Sequence, residues 1–395
     1  MRFEKTVLQV IPTLDSGGAE RSTVEMTRAI IEAGGKAIVA TTGGRLTADV
    51  ERAGGIVAIL PVASKNPLTI VANRNRLLSL IRQNDVDIIH ARSRAPAWSA
   101  LFAARAASIP FVATYHGAYR SGSLLKRFYN SAMARADLVI ANSEFTAASI
   151  RSQYDVGERL VVIPRGADLD EFNPEAISAA RIRVVRTDWG LPDAFAGLVL
   201  LLPGRLTDWK GHDVAIRAAV SLEHSRQTGV FPEFQLIFAG DAQGSGGDAA
   251  SLTRLVGELG LRGTVRMVGH CGDMPAAYAA SDIILSPSVR PEAFGRVAVE
   301  AGAMGKLVIA SGHGGSAETI DDQKTGFLAE PGSADALAEL IRRSATLGVE
   351  GRRQIGARAR SRVAEKFSTR SMTESTLAAY LRMSSGEASA LGTKS

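Results

Sequence analysis

Short apolar runs alternate with longer segments of helical periodicity along the chain, in two successive series. The first series of apolar runs comprises Val7–Ile11, Lys36–Thr41, Ile56–Leu60, Val86–His90, Phe111–Thr114, Leu138–Ala141 and Leu160–Ile163. Segments such as Glu20–Ala33 and Pro67–Arg82 separate these runs and have apolar residues at the spacing of an amphipathic helix. Strands that alternate with helices predict a doubly wound parallel sheet.

A second series of the same kind follows a polar junction at Asn173–Asp193. It comprises Gly197–Leu202, Gln235–Ala239, Val265–Val268, Ile283–Leu285, Leu307–Ala310 and Gly326–Ala329. We therefore predict an α/β protein with two Rossmann-like, doubly wound parallel-sheet domains that face each other across a cleft. The first domain is expected at residues 1–192 and the second at 193–370. The last helical pattern, within 371–395, is expected to cross back to the first domain before a short tail.

The composition is that of an ordinary globular protein, since 46% of the 395 residues are hydrophobic and the mean hydropathy is +0.06. No apolar stretch approaches the ~20 residues that span a bilayer. The single cysteine, Cys271, excludes an internal disulfide and a cysteine-based zinc cluster. We therefore expect a cytoplasmic protein.

Positive charge is concentrated in the first half of the chain. Residues 1–192 carry 24 Lys and Arg against 18 Asp and Glu, whereas the remaining residues carry 22 of each. Three explanations fit this excess of positive charge: an ordinarily solvated surface, an anionic membrane or an acidic substrate. No sequence signature indicates nucleic-acid binding. The segment Leu124–Met133 carries Lys126 and Arg127 among apolar residues, which fits either a helix on a membrane surface or a helix packed on the core.

The stretch Ser286–Gly305 carries the strongest signal for a ligand site. It begins at the end of an apolar run, is broken by two prolines and then enters a helix near Gly295. In a parallel sheet, ligands collect beyond the carboxyl ends of the strands, where the following helix directs its free N–H groups outward. Glu292 and Glu300 are expected there, beside the backbone N–H groups of Phe294 and Gly295. Carboxylates that accept from hydroxyl groups, beside amides that hold an anion, suit a phosphorylated sugar.

A second signal lies directly after the first strand of the second domain. Arg205 and Lys210 occupy a short loop that leads into a helix, and the sequence shows no obvious carboxylate partner for either. Two such cations predict an anion clamp, although a surface charge pair is the alternative. Gly204 in this loop, and Gly240 after the next strand, repeat a pattern of strand followed by glycine.

Weaker signals follow strands of the first domain. Gly17 and Gly18 would let the backbone approach a ligand at a helix start, although a plain tight turn explains them equally well. His116 follows an apolar strand and is placed to reach the cleft, although strand-end histidines are often only structural. Two Asp-x-Asp sequences, at 85–87 and 168–170, are weak candidates for a metal clamp, and we expect no metal site.

Together these motifs resemble the large family of retaining, nucleotide-sugar-dependent glycosyltransferases called family 4, which has the GT-B architecture. The resemblance extends from about residue 7 to 382 and is carried by Gly17-Gly18, Pro164–Asp168, Gly204-Arg205, Lys210-Gly211, Gly240-Asp241 and the pair Glu292 and Glu300. The segments Asp208–His212 and Arg290–Arg296 resemble the bacterial lipopolysaccharide-core branch, which includes mannosyltransferases. Ala293 stands where many members have glycine, and Arg296 where an apolar residue is common.

The resemblance implies a role for each matching residue. Arg205 and Lys210 would bind the donor diphosphate and stabilise the negative charge of the leaving group. Glu300 would accept from the ribose hydroxyls, Glu292 would hold the transferred sugar, and His116 would contact that sugar. The implied donor-binding set is Gly17, Gly18, Gly204, Arg205, Lys210, Gly240, Phe294, Gly295 and Glu300. No cofactor and no metal is implied, because cations and amides supply the positive charge.

The predicted function is transfer of a hexose to a lipopolysaccharide-core acceptor or a related glycan or lipid. The first choice of donor is GDP-mannose, with mannose as the transferred sugar. The alternatives are a UDP-sugar-dependent glucosyl- or N-acetylglucosaminyltransferase, a sugar epimerase of the same fold, and a non-catalytic nucleotide-sugar-binding protein. An NAD-dependent oxidoreductase would need a Gly-x-Gly-x-x-Gly turn after the first strand of a domain, which neither domain has. The expected location is the cytoplasm, with peripheral association of the first domain with the inner membrane.

Overall fold

The computed structural model describes residues 2–15, 17–119, 123–192, 194–242 and 247–384. The chain divides into two compact units. The first unit is formed by the chain up to Arg165 and from Thr369 onward, and the second by Gly166–Ser368. The division lies before the predicted boundary at residue 192, because Phe172, Val185 and Trp189 are buried in the core of the second unit.

The described part of the first unit contains one seven-stranded sheet. Its strands are β1 (Thr6–Val10), β2 (Lys36–Thr41), β3 (Ile56–Ile59), β4 (Ile88–Ala91), β5 (Phe111–Tyr115), β6 (Leu138–Ala141) and β7 (Leu160–Val162). The connecting helices are α1 (Gly18–Glu32), α2 (Thr47–Arg52), α3 (Pro67–Gln83), α4 (Arg94–Ala107), α5 (Leu124–Ala134) and α6 (Glu144–Arg151). The strands pair in parallel in the order β3-β2-β1-β4-β5-β6-β7.

The described part of the second unit contains one six-stranded sheet. It begins with α7 (Ala179–Asp188), and its strands are β8 (Leu198–Pro203), β9 (Phe234–Ala239), β10 (Val265–Gly269), β11 (Ile283–Ser286), β12 (Leu307–Ser311) and β13 (Phe327–Ala329). The further helices are α8 (His212–Gln227), α9 (Gly247–Glu258), α10 (Met274–Ala279), α11 (Arg296–Ala303), α12 (Ser316–Thr319), α13 (Ala334–Thr346) and α14 (Gly348–Lys366). The strands pair in parallel in the order β10-β9-β8-β11-β12-β13.

The last helix, α15 (Thr369–Ser384), belongs to the first unit. Its Tyr380 is buried, and the Tyr380 hydroxyl lies 2.6 Å from Nδ1 of His90, at the centre of β4. The other ring nitrogen of His90 lies 2.7 Å from the Thr114 hydroxyl. Burial, reinforced by the charge of Arg92, holds the pKa of His90 well below its ordinary value, so this hydrogen-bonded ring is neutral. The predicted tail after Ser384 lies outside the described residues.

All predicted strands are present at or close to their predicted positions, and the predicted fold class of two parallel-sheet α/β domains is confirmed. Most strand residues are apolar and buried, as expected of parallel sheets covered by helices on both faces. The strand order reverses between β1 and β4 in the first sheet and between β8 and β11 in the second. Ligands bind beyond the carboxyl ends of the strands at such reversals. Among the described residues, no helix combines the length and the hydrophobicity needed to cross a bilayer.

Candidate active site

The loops after β8 and β9 touch each other at two glycines. A Cβ atom on Gly240 would lie 2.0 Å from the carbonyl oxygen of Gly204, so no side chain fits there. Gly204 itself has φ +138°, a conformation that favours glycine. Next along the chain, Arg205 is exposed at the carboxyl end of β8, and no described residue bonds to its guanidinium. The predicted cation is therefore free to meet an anion at this edge.

Lys210 forms an ion pair with Glu292. Its Nζ atom lies 2.8 Å from Glu292 Oε1, and the two side chains are only 15% and 10% exposed. The Ser288 hydroxyl donates to the same carboxylate oxygen at 2.6 Å. The prediction that Lys210 lacks a carboxylate partner is therefore wrong: β8 and β11 are neighbours in the sheet, which brings together residues distant in sequence.

The charge of Glu292 is maintained by its partners. Burial alone would raise the pKa of this carboxyl, but the charge of Lys210 and hydrogen bonds from Lys210, Ser288 and Ser286 outweigh burial, and the pKa lies below its ordinary value. Glu292 therefore faces Lys210 as a carboxylate at neutral pH.

A glycine precedes the helix that follows Lys210 for a steric reason. Gly211 precedes α8 with φ +77°, and a Cβ atom there would lie 2.0 Å from the carbonyl oxygen of Pro287. The backbone N–H of Val289 also donates to the carbonyl of Trp209 at 2.8 Å. This close packing of the loops after β8 and β11 fixes the distance between Lys210 and Glu292.

The entrance of α11 has the features expected of an anion-binding helix start. Gly295 precedes the helix in a left-handed conformation, with φ +84°. The backbone N–H groups of Phe294 and Gly295 donate to no acceptor in the described part of the chain. Phe294 is buried, with its ring 5.9 Å from that of Phe367, and this packing anchors the loop.

Glu300 lies in α11 and is held by two hydrogen bonds. Arg296 Nε donates to one carboxylate oxygen at 2.6 Å, and the Tyr278 hydroxyl donates to the other at 2.9 Å. Burial, followed by the charge of Glu300, raises the pKa of Tyr278 well above its ordinary value, so the hydroxyl remains a donor. A carboxylate has about four acceptor positions, so Glu300 keeps the capacity to accept from a ligand.

Sequence reasoning missed the loop after β12, which supports Glu292. The backbone N–H of Gly315 donates to the Glu292 carbonyl at 2.8 Å, and His313 Nε2 lies 2.9 Å from the Ser288 carbonyl. A Cβ atom on Gly314 would lie 2.5 Å from the same Glu292 carbonyl. The signal was available, since this loop has the pattern of strand followed by glycine that marked Gly204.

In the first unit, His116 follows β5 and contacts Arg165, which follows β7. An Nη atom of Arg165 donates to Nδ1 of His116. Because a guanidinium only donates, Nδ1 accepts, and in the neutral ring the proton is on Nε2. Nε2 is buried and has no partner in the described part of the chain. Burial, followed by the charges of Arg165 and Arg92, holds the pKa of His116 well below its ordinary value.

The remaining candidates of the first unit have local explanations. Gly18 opens α1, and Gly17 precedes it with φ −84°, a conformation open to any residue. A Cβ atom on Gly17 would lie 2.2 Å from a carboxylate oxygen of Glu20, which folds back over the helix start. Ser16 lies outside the described residues.

The two Asp-x-Asp sequences carry structural hydrogen bonds. Asp168 accepts from the backbone N–H groups of Asp170 and Glu171, at 2.9 and 3.2 Å. Asp87 accepts from Lys5 and from the backbone of Thr6. These bonds account for Asp87 and Asp168 without a ligand.

Family models match both halves of the chain. Residues 16–171 match Glycosyltransferase Family 4, and residues 196–362 match Glycosyl transferases group 1. A D-inositol 3-phosphate glycosyltransferase 1 from Catenulispora acidiphila is 30% identical over 357 residues, which are 83% of this chain and 82% of that protein. A D-inositol 3-phosphate glycosyltransferase from Salinispora arenicola is 36% identical over 203 residues, which are 50% of this chain and 44% of that protein. The chain spans about half the length of several of these curated relatives, 44% and 49% in two cases.

Solved structures resemble the whole chain. A glycosyltransferase from Rickettsia africae is 34% identical with a TM-score of 0.87, over 96% of this chain and 98% of that one. Anabaena HepE, solved with UDP and glucose, is 23% identical with a TM-score of 0.80, over 95% and 99%. WaaG, described as a glycosyltransferase involved in lipopolysaccharide biosynthesis, is 21% identical with a TM-score of 0.71, over 94% and 98%. The last two likenesses concern the fold alone.

Proposed function

Because this chain belongs to the nucleotide-sugar glycosyltransferases of GT-B type, we propose that it transfers a hexose from a nucleotide diphosphate sugar with retention of configuration. The observation that carries the proposal is the buried pair of Lys210 and Glu292, at the carboxyl edge of β8 and β11. The pair lies where the strand order reverses, close in sequence to the two N–H groups at the start of α11 that have no acceptor in the described part of the chain. This arrangement suits a ligand with an anionic part and a hydroxylated part.

The anionic part would be the donor diphosphate. Arg205 and Lys210 would bind it, and the N–H groups of Phe294 and Gly295 would assist at the helix start. Breaking the bond between sugar and phosphate develops negative charge on the diphosphate, so cations fixed there lower the barrier. Lys210 is already held in place by Glu292, so little reorganisation is needed when that charge develops.

The hydroxylated part would be the sugar and the ribose. Glu292 would accept from hydroxyls of the transferred sugar and Glu300 from those of the ribose. Gly204 and Gly240 would let the donor approach the backbone closely. From the first unit, Gly17, Gly18 and His116 would contribute the roles that the family resemblance assigns to them.

His116 would donate a hydrogen bond. Its Nε2–H is buried and meets no acceptor among the described residues, and an unsatisfied buried donor costs roughly 1–3 kcal/mol. A sugar hydroxyl or ring oxygen would satisfy this donor. Because the pKa of His116 lies well below its ordinary value, the residue would act as a neutral donor and not as a proton source.

The transferred sugar is proposed to be mannose from GDP-mannose, on the resemblance of Arg290–Arg296 to the lipopolysaccharide-core branch. A UDP-sugar is the second donor candidate, because the structure of HepE contains UDP and glucose. No metal is proposed to take part, since Arg205, Lys210 and helix N–H groups supply positive charge. Transfer is therefore expected to persist in excess EDTA. Loss of activity that Mg²⁺ restores would contradict this part.

The acceptor is proposed to be a lipopolysaccharide-core glycan or a related glycolipid at the cytoplasmic face of the membrane. The basic first unit would associate peripherally with anionic lipid, and salt should weaken that association. A second acceptor candidate is a phosphorylated polyol, because the curated relatives are named D-inositol 3-phosphate glycosyltransferases.

The test is transfer of radiolabel from GDP-mannose, UDP-glucose and UDP-N-acetylglucosamine to core oligosaccharide, to lipid extract and to D-inositol 3-phosphate. Arg205→Gln should lower transfer about a hundredfold, since one charged donor at developing charge contributes ~3 kcal/mol. Arg217→Gln removes an exposed arginine of α8 and is the matched control. Equal activity of both variants would contradict the site. Conversion of the donor to an isomeric nucleotide sugar would indicate an epimerase instead.

A further inference from the structure

Helices α3, α4 and α5 of the first unit enclose a groove of about 1120 Å³. The larger apolar residues that line it include Ile70 and Val71 of α3, Trp98 and Phe102 of α4, and Leu125 and Phe128 of α5. All three helices are packed side by side, with α4 between α3 and α5. The groove is a concave, mainly apolar surface, which is the usual form of a ligand site.

Aromatic rings form one wall of this groove. The ring of Trp98 lies 5.1 Å from that of Phe128, with nearly parallel planes, and 5.5 Å from that of Phe102. Phe102 is 41% exposed, Phe128 57% and Leu125 79%. Contiguous exposed apolar residues of this size mark an interaction site and not an ordinary surface.

The exposure decides between the two interpretations of the amphipathic segment in α5. Residues Asn130 to Ala134 of the helix include its buried positions, whereas Leu124, Leu125 and Phe128 are exposed. Packing on the core therefore explains only the second half of α5. In its first turn, Leu124 and Leu125 are exposed, and Leu125 lines the groove.

The described lining of the groove carries charge of one sign. Helices α3, α4 and α5 contain seven Lys and Arg residues and no Asp or Glu. Lys65, Arg94 and Lys126 line the groove, and its described lining has no carboxylate. An apolar channel with cations at its margin complements an amphiphile with an anionic head.

One end of the groove lies close to the proposed sugar-binding histidine. Ser93 and Arg94 line this end and follow directly after the carboxyl end of β4. The guanidinium of Arg94 lies 4.0 Å from the ring centre of Tyr119, and a Cβ atom on Gly117, the residue after His116, would lie 3.0 Å from the same ring. A ligand in the groove would therefore present its head toward His116.

We infer that the groove binds the hydrocarbon chain of the acceptor, and that the acceptor is an anionic amphiphile with a phosphate or carboxylate near Arg94. The inference rests on the proposed function, because it takes the edge beside His116 as the place where the sugar is transferred. The chain lies against Phe102, Trp98 and Phe128. The occupant is a single amphiphile molecule and not the surface of a bilayer.

Isothermal titration calorimetry tests this inference with dodecyl phosphate below its micelle concentration, beside inorganic phosphate and dodecyl maltoside. The protein should bind dodecyl phosphate at least roughly tenfold more tightly than phosphate, because the chain buries apolar surface. The double variant Phe102→Ser/Phe128→Ser should lose that difference. Arg94→Gln should weaken binding of dodecyl phosphate and leave dodecyl maltoside unaffected.

Val230→Ser is the matched control, since Val230 is a 77% exposed apolar residue of the second unit. Circular dichroism checks each fold, and the single variant Phe128→Ser replaces the double variant if that one unfolds. The inference would be overturned if the protein bound dodecyl phosphate no more tightly than phosphate. It would also be overturned if the groove variants and the control bound dodecyl phosphate equally well. Variants that lose binding only to phosphatidylglycerol vesicles would overturn it as well, because the groove would then be a bilayer contact.

The two proposals fail separately in this design. Binding of GDP or UDP, and release of labelled sugar from the donor, are measured on the same proteins and involve residues of the second unit. A protein that binds dodecyl phosphate through the groove but transfers no sugar refutes the proposed function alone. A protein that transfers sugar equally well with and without an intact groove refutes the inference alone.

Discussion

Lys210 Nζ lies 2.8 Å from Glu292 Oε1, and this pair joins two loops that are far apart in sequence. Both side chains are largely buried, so each charge is stabilised by the other and not by water. Removing one partner of a buried ion pair typically costs ~3–5 kcal/mol, because the remaining charge is left uncompensated. The pair therefore links the stability of the second unit to the proposed chemistry.

Lys210→Met should destabilise the protein by about 3–5 kcal/mol at pH 7. In the wild type the pKa of Glu292 is depressed, so its stabilising contribution is present above the unfolded pKa and is lost as pH falls through the folded pKa. Without Lys210, burial raises this pKa, and protonation relieves the uncompensated charge. The deficit measured by urea unfolding should therefore shrink between pH 7 and pH 4.

The double variant Lys210→Met/Glu292→Gln provides the control for this prediction. It removes both charges, so much of the lost stability should return at pH 7. A double variant as unstable as Lys210→Met, with a deficit independent of pH, would contradict a charge-based explanation.

Glu292 and Glu300 should affect different kinetic constants. Glu300 is proposed to contact the ribose, which changes little during reaction, so Glu300→Ala should mainly raise KM for the donor. Glu292 is proposed to contact the sugar, where charge develops, so Glu292→Ala should mainly lower kcat. Lys210→Ala should also mainly lower kcat, because losing this cation raises the activation free energy by about 3 kcal/mol.

Kinetics with a fixed acceptor and varied donor measure both constants. Glu350→Ala removes an exposed carboxylate of α14 and should change neither. Normal kcat in both Glu292→Ala and Lys210→Ala would exclude the proposed site.

The apolar runs predicted every strand, because strands covered on both faces are mostly apolar. They carried no information on strand order. Lys210 and Glu292 are 82 residues apart, and they meet only because β8 and β11 are neighbours. The sequence therefore indicated two ligand-binding loops but not the ion pair that joins them.

The sequence also could not show which part of the fold covers each apolar residue. Trp189 lies in a polar junction, yet it is buried in the second unit, and this moves the division of the chain to Arg165. In α5, the pattern of Leu125 and Phe128 fitted core packing as well as an exposed surface. Only the neighbouring helices, which leave these residues uncovered, decide between the two.

His212 should make stability depend on pH. This buried residue packs edge-on against Phe238, with ring centres 4.9 Å apart, and neither ring nitrogen has a partner in the described part of the chain. Burial, followed by the charge of Lys210, lowers the pKa of His212 to about 4. Between about pH 6.5 and pH 4 the unfolded chain binds a proton that the folded chain does not, so stability falls as pH falls.

The variant His212→Phe should flatten this dependence. The contribution of one such group approaches about 1.4 kcal/mol per pH unit within the window. Urea unfolding at pH 7, 5.5 and 4.5 measures the slope. His224→Gln is the control, because His224 is exposed on the same helix and its removal should leave the slope unchanged. Identical slopes in wild type and His212→Phe would refute the assignment.

His116 should act through the hydrogen on Nε2. An asparagine retains an acceptor near the position of Nδ1 for Arg165 but has no donor at the position of Nε2, whereas a glutamine places an N–H there. His116→Gln should therefore keep more of the wild-type kcat than His116→Asn, with a gap of about tenfold for one hydrogen bond.

Because the pKa of His116 lies well below its ordinary value, wild-type kcat should also show no inflection near pH 6.5. Equal activity of the two variants would exclude donation from Nε2, and an inflection near pH 6.5 that disappears in His116→Gln would show that the ring titrates during turnover.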